Sequence, residues 1–185
     1  MLKFRLPEAA TIASLIKSWH REPLSYHHLG GVLAPPELGF IFDVHRVYLG
    51  RGPEIYQAAN AALDAWVMFP AWAVIYPQCA PQHVGSVVAM VTRICGLWWI
   101  NPCRILHRSD SELTHGFVYG TLSEHAESGE ERFMVEQLSD GSVWYEIRAF
   151  SRPRHWLAWL GFPLARWWQC RFVRDSQMSM LKSVA

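Results

Sequence analysis

Apolar residues near the start of the chain recur at helical spacing, at Ala9, Ile12, Ile16 and Trp19. Pro7 and Glu8 stand just before them. Proline suits the opening turn of a helix, so the periodicity predicts a first helix from this point. A Gly-, His- and Pro-rich connection covers residues 26–36, followed by a strand over 40–49 that closes at Gly50-Arg51-Gly52-Pro53. Pro53 opens a second predicted helix through Ala58, Ala59, Ala62 and Leu63. The pattern then changes to β-type segments at 66–69, 73–78, 83–94, 98–108, 114–122, 131–138 and 143–150. Their close spacing and turn signals predict an antiparallel meander. Helical spacing returns over 153–182, where Trp156, Leu157, Leu160, Leu164, Trp167 and Trp168 recur. Gly161 and Pro163 interrupt it, and proline inside a helix removes a hydrogen bond. A bent helix, or a short piece followed by a longer one, is therefore expected. The order of elements is that of an α+β domain spanning residues 1–185, a curved antiparallel sheet with its apolar face buried under the long C-terminal helix.

The stretch 115–135 carries the densest pattern. Side chains alternate along a strand, so His115, Phe117, Tyr119 and Thr121 share one face. A polar, Glu-rich segment follows and is read as a loop before the next strand. Asp140-Gly141 is a strong two-residue hairpin signal. With that loop, Glu136 faces Tyr145 and Arg132 faces Ala149, on the face expected to point inward. Arg132, Glu136 and Tyr145, with His115, Tyr119 and Thr121 beside them, are then the candidate ligand-binding residues. A one-residue slip would exchange the two faces.

Composition narrows the function classes. Ten Trp residues in 185, with 51% apolar residues, call for a bulky core or the walls of a wide cavity. The formal net charge of +1 and the lack of a basic stripe disfavour nucleic-acid binding. Cys79, Cys95, Cys103 and Cys170 show no C-x-x-C spacing, so neither a zinc knuckle nor a thioredoxin-type motif is present. His125, Glu127, Glu130 and Glu131 are metal-ligand types, but a solvated carboxylate loop is the favoured reading and no metal is expected. The glycines at 50 and 52 lack the spacing of a phosphate or dinucleotide loop, and no cofactor is expected. No apolar run approaches the length of a transmembrane helix and the N-terminus makes a poor signal peptide. A cytoplasmic protein with reduced thiols is expected.

The segment HGFVYGTLSEHAESGEERFMVE resembles the signature of an uncharacterised family of short bacterial and plant proteins, grouped with the START and birch-pollen-allergen-like superfamily. LGRGPEIYQAANAAL, WWINPCRI and AFSRP extend the resemblance over most of the chain. The resemblance implies a helix-grip (START-like) fold and a cavity for a small hydrophobic or amphipathic molecule. It brings no catalytic residues with it. Non-enzymatic ligand binding is the leading expectation, with Arg132, Tyr119 or Glu136 fixing the ligand's polar end. An enzyme of the cyclase, hydrolase or isomerase kind would draw its acid or base from Glu136, His115 or Tyr119. An interaction module would instead present exposed Trp residues as partner anchors.

Overall fold

The structure, a computed structural model, describes residues 1–33, 39–154 and 161–185. Its elements run β1 (Leu2–Lys3), α1 (Ala9–Trp19), β2 (Ile41–Arg51), α2 (Pro53–Asp64), β3 (Ala73–Tyr76), β4 (Val87–Ile94), β5 (Leu97–Asp110), β6 (Thr114–Thr121), β7 (Glu127–Gln137), β8 (Ser142–Pro153) and α3 (Phe162–Ser183). Among the described residues the strands form one eight-stranded antiparallel sheet in the order β2-β8-β7-β6-β5-β4-β3, with β1 paired to the start of β5. Register shifts in β2 and in β5 add a residue on one side of the ladder, which bends the strands and curls the sheet.

Both predicted early helices form. Ile12, Ile16 and Trp19 of α1 are buried against Val87, Val91 and Ile100 on the convex side of the sheet. Pro53 and Glu54 sit in the first turn of α2, where the missing N–H costs nothing and a negative charge meets the helix dipole. The concave side holds the main core. Phe117, Phe133 and Tyr145 of the sheet meet Leu63 of α2 and Phe172 and Met180 of α3 there. Phe69 packs its ring against both Phe133 (5.5 Å between centroids) and Phe172 (5.3 Å). No helix among the described residues is long and apolar enough to cross a membrane.

Two of the expected segments change, and the predicted interruption of the last helix is placed. Residues 66–69 form turns and no strand, because the chain caps α2 through Ala65 N–H to Ala61 O and Trp66 N–H to Leu63 O. The aromatic run read as β-type is there to drop Trp66 and Phe69 into the core. The interruption at Gly161 and Pro163 falls at the opening of α3, where proline is tolerated, and the helix runs on to Ser183. The expected earlier helical piece with Trp156, Leu157 and Leu160 lies outside the described residues, as does the 34–36 part of the first connection. Finally, β7 begins four residues before the expected strand, at Glu127. The Glu-rich segment is paired backbone opposite Ala149–Pro153 and not a solvated loop.

The hairpin between β7 and β8 decides which side chains face the core. Leu138 N–H donates to Ser142 O and Gly141 N–H to Leu138 O, both at 2.8 Å, so Ser139, Asp140 and Gly141 form a three-residue loop. Gly141, at φ +82°, takes the left-handed position that such a loop requires. Gln137 therefore pairs with Val143, Glu136 with Trp144 and Arg132 with Arg148. That is one residue away from the expected register, so Tyr145 and Ala149 of β8 still face inward while the two faces of β7 are exchanged.

Candidate functional site

The exchange removes Arg132 and Glu136 from the interior. Both lie on the convex face, where Glu136 pairs with Arg46 at 2.7 Å and Arg132 with Glu146 at 3.2 Å. Glu146 is 7% exposed and also holds Arg148 at 3.0 Å, with Arg46 at 3.8 Å. Replacing Glu146 with alanine leaves three guanidinium groups crowded together. A loss of about 2 kcal/mol is expected, less than for a fully buried pair because the arginines keep contact with water. An unchanged denaturation midpoint would refute this role.

His115 does face the concave side, but at the end filled by α2. Its Nε2 lies 2.9 Å from Asp64 Oδ1 and its Nδ1 3.2 Å from Asp110 Oδ1, with Arg108 Nη2 at 3.0 Å. Tyr145 shares the face and is fully buried, its hydroxyl 2.9 Å from Ser176 Oγ beneath α3. The structure thus brings only Tyr119 and Thr121 of the six candidates to a common pocket.

That pocket exists because the concave face is graded. Toward one end its side chains are large, as with Phe117, Phe133, Val135 and Tyr145. Toward the other they shrink to Thr92, Asn101, Thr121, Gly129, Ala149 and Ser151. The C-terminal half of α3 presses on the large end. Its N-terminal half spans the small end and leaves a pocket of about 250 Å³. Trp72, Met90, Ile94, Trp99, Trp168 and Phe172 supply much of the apolar wall. A bidentate ion pair, Arg166 Nη1 to Asp43 Oδ2 at 2.6 Å and Nη2 to Oδ1 at 3.0 Å, ties α3 to β2 across the pocket.

The polar groups inside come from β7. Alternation from Phe133 places Glu131, Gly129 and Glu127 on the concave face. Glu131 Oε2 accepts the Tyr119 hydroxyl at 2.5 Å. Glu127 Oε1 accepts the side-chain amide of Gln169 at 2.6 Å, and Gln169 Oε1 in turn accepts from Arg166 at 2.8 Å. Both carboxyls keep a little surface toward the pocket while protein surrounds them otherwise. Burial pushes the Glu127 carboxyl up to about 7, against the Gln169 hydrogen bond and the Arg166 charge. Burial likewise pushes Glu131 up to about 7, against the Tyr119 hydrogen bond and with the Glu127 charge adding to the rise. His125, at the rim, is pushed down to about 3 by burial, and its Nδ1 accepts the Glu127 amide at 2.9 Å. Near neutral pH the two carboxyls can each give or take a proton, and in the charged form each offers free lone pairs to a guest.

Glu130 points the other way. It holds the connection after α1 to the convex face, accepting from the Tyr26 hydroxyl (2.9 Å), Gly30 N–H (2.8 Å) and Val32 N–H (3.3 Å). The four metal-type residues His125, Glu127, Glu130 and Glu131 are thereby divided between two faces. Among the described residues, no group of three His, Cys, Asp or Glu side chains is arranged to hold a metal ion. Asp43, Glu127, Glu131, Arg166 and Gln169 were not foreseen as pocket residues. The signal for the two glutamates was the alternation Glu127-Gly129-Glu131 running into Phe133, hidden because Glu, Ser and Gly are poor strand formers.

Solved structures with the same architecture include a hypothetical protein of Helicobacter pylori, 9% identical with a TM-score of 0.55, covering 85% of this chain and 92% of that one. The Zhui aromatase/cyclase of Streptomyces is 12% identical with a TM-score of 0.50, covering 78% and 91%. At such identities the likeness establishes the fold, a curved antiparallel sheet gripping its C-terminal helix, and nothing about activity. Sequence relatives are closer. The UPF0548 protein of Dictyostelium discoideum is 34% identical over an alignment 207 positions long, covering 100% of this chain and 96% of its own. The UPF0548 protein of Arabidopsis thaliana is 33% identical over 153 residues, covering 79% and 74%. Residues 25–179 match the family described as Domain of unknown function (DUF1990), and the chain, a helix-grip protein, belongs to that family.

Proposed function

We propose that the protein binds a small amphipathic molecule in the pocket between the sheet and the N-terminal half of α3. The observation that carries this reading is a preformed space of about 250 Å³ walled largely by aromatic and aliphatic side chains, with two partly buried carboxyls set into it. Known ligand sites have this make-up, apolar walls with a few convergent polar groups. The volume lies just below the roughly 300–1,000 Å³ typical for drug-sized ligands, so the guest is smaller than those. Its apolar body lies against Trp72, Trp168 and Phe172, and its polar end meets Glu127, Glu131 and Tyr119.

A thermal-shift screen of small amphipathic compounds tests this, with Ala149→Phe as the pocket-filling variant. A true ligand at 100 times its Kd stabilises by about 2.7 kcal/mol, a rise in Tm of about 5–10 °C for a chain of this size. The shift is expected to vanish in Ala149→Phe while that variant's circular dichroism spectrum stays that of the parent. Stabilisation that survives the filling of the pocket, or no stabilising compound at all, overturns the reading.

A further inference from the structure

We propose that the polar end of the ligand is an organic cation, an amine in its ammonium form, held by Glu127 and Glu131 and enclosed by the aromatic wall. This rests on the pocket being a ligand site and names the chemistry it selects.

Charge balance makes the first argument. The ionisable side chains facing the pocket are Asp43 and His45 from β2, Tyr119 from β6, and Glu127 and Glu131 from β7, while Glu130 of β7 also borders it but turns its carboxylate to Tyr26, Gly30 and Val32. His125 joins them from the turn before β7, and Arg166 and Cys170 from α3. Arg166 is the only guanidinium or ammonium group lining the pocket among the described residues, and Asp43 already takes it in a two-point pair. His125 is held as a neutral acceptor by the Glu127 amide. Glu131 is left with a phenol as its partner and Glu127 with a carboxamide, and neither of these carries a positive charge. A buried carboxylate without a counter-charge is costly, and a guest that brings one recovers that cost on binding. An anionic guest would instead meet two carboxylates.

The walls make the second argument. Trp72, Trp99, Trp168 and Phe172 line the same space, and aromatic faces attract cations most strongly where water is excluded. Rings in this wall already do so on their outer side, where Arg171 stands 5.3 Å from the Trp72 ring and 4.9 Å from that of Trp168.

Three isosteric probes decide the matter: phenethylamine, 2-phenylethanol and phenylacetate, titrated by calorimetry into the full chain. The amine is expected to bind about tenfold or more tightly than the alcohol at pH 8, because a charge-assisted hydrogen bond is gained. Its affinity should fall about tenfold between pH 8 and pH 6, as Glu127 and Glu131 take up protons. The double variant E127Q/E131Q should lose the preference for the amine and keep the alcohol. Binding of the alcohol or the acid as tightly as the amine, or amine affinity that rises toward low pH, overturns the cation and leaves pocket binding standing. Binding of none of the three overturns both.

Discussion

Replacing Gly129 with alanine is expected to cost about 4 kcal/mol or more, enough to leave much of the protein unfolded at ambient temperature. Gly129 lies in β7 between the two pocket carboxyls at φ +151°, a backbone region that only glycine occupies readily. A Cβ built there would stand 1.8 Å from the carbonyl oxygen of Phe150 and 2.8 Å from the Ser151 Cα. Both are backbone atoms of β8, so relief requires separating two strands that pair along their whole length. Gly141 makes the control. It also has a positive φ, but the nearest atom to a Cβ there is Arg51 Cγ at 3.6 Å, an ordinary contact. Gly141→Ala should therefore cost only the conformational term, about 1 kcal/mol. Urea denaturation of both variants reads the difference, and equal midpoints would show that β8 yields easily at Phe150.

Replacing both Glu127 and Glu131 with glutamine is expected to stabilise the protein at pH 8, by about 2 kcal/mol for each carboxyl. Both have folded-state values near 7 against an ordinary 4.5, so between these values the native state holds protons that the unfolded chain has released. Stability of the parent therefore falls as pH rises from about 4.5 to 7 and levels off above that window. Glutamine has the same shape, keeps an acceptor for Tyr119 and carries no charge to bury. At pH 8 the double variant should melt about 8 °C or more above the parent, and at pH 4.5 the two should converge. Parallel melting curves across this range, or a less stable variant at pH 8, would show that water or a protein cation already neutralises the site. A gain in stability on removing two buried charges is the mark of groups kept for binding at the expense of the fold.

Much of the fold could be read in the chain. The periodicity of Ile12, Ile16 and Trp19 and the position of Pro53 located α1 and α2, because amphipathic spacing and helix-opening chemistry are local properties. The meander and the closing helix followed from alternation and order. Residues 66–69 misled because an apolar aromatic run looks the same whether it pairs as a strand or turns to bury its rings, and only the cap of α2 distinguishes the two. The candidate site was half legible. His115, Tyr119, Thr121 and Tyr145 lie on the concave face that alternation predicts, whereas Arg132 and Glu136 lie on the other, and the Glu127–Glu131 segment, which reads as a solvated turn, is a paired strand.

The sequence by itself determined most of the elements, their order and the alternation within each strand, since these depend on neighbours a few residues away. It also set the gradient from bulky to small side chains that leaves room beneath α3. The tertiary structure alone decided the hairpin register, where one extra loop residue with Gly141 in a left-handed conformation turned Arg132 and Glu136 outward. It alone decided that Glu127 and Glu131 are enclosed by β6, β8 and α3 and so titrate near 7. The physical reason is the same in both cases. A period of two describes both faces of a strand equally well, and the burial that chooses between them comes from elements distant in the chain.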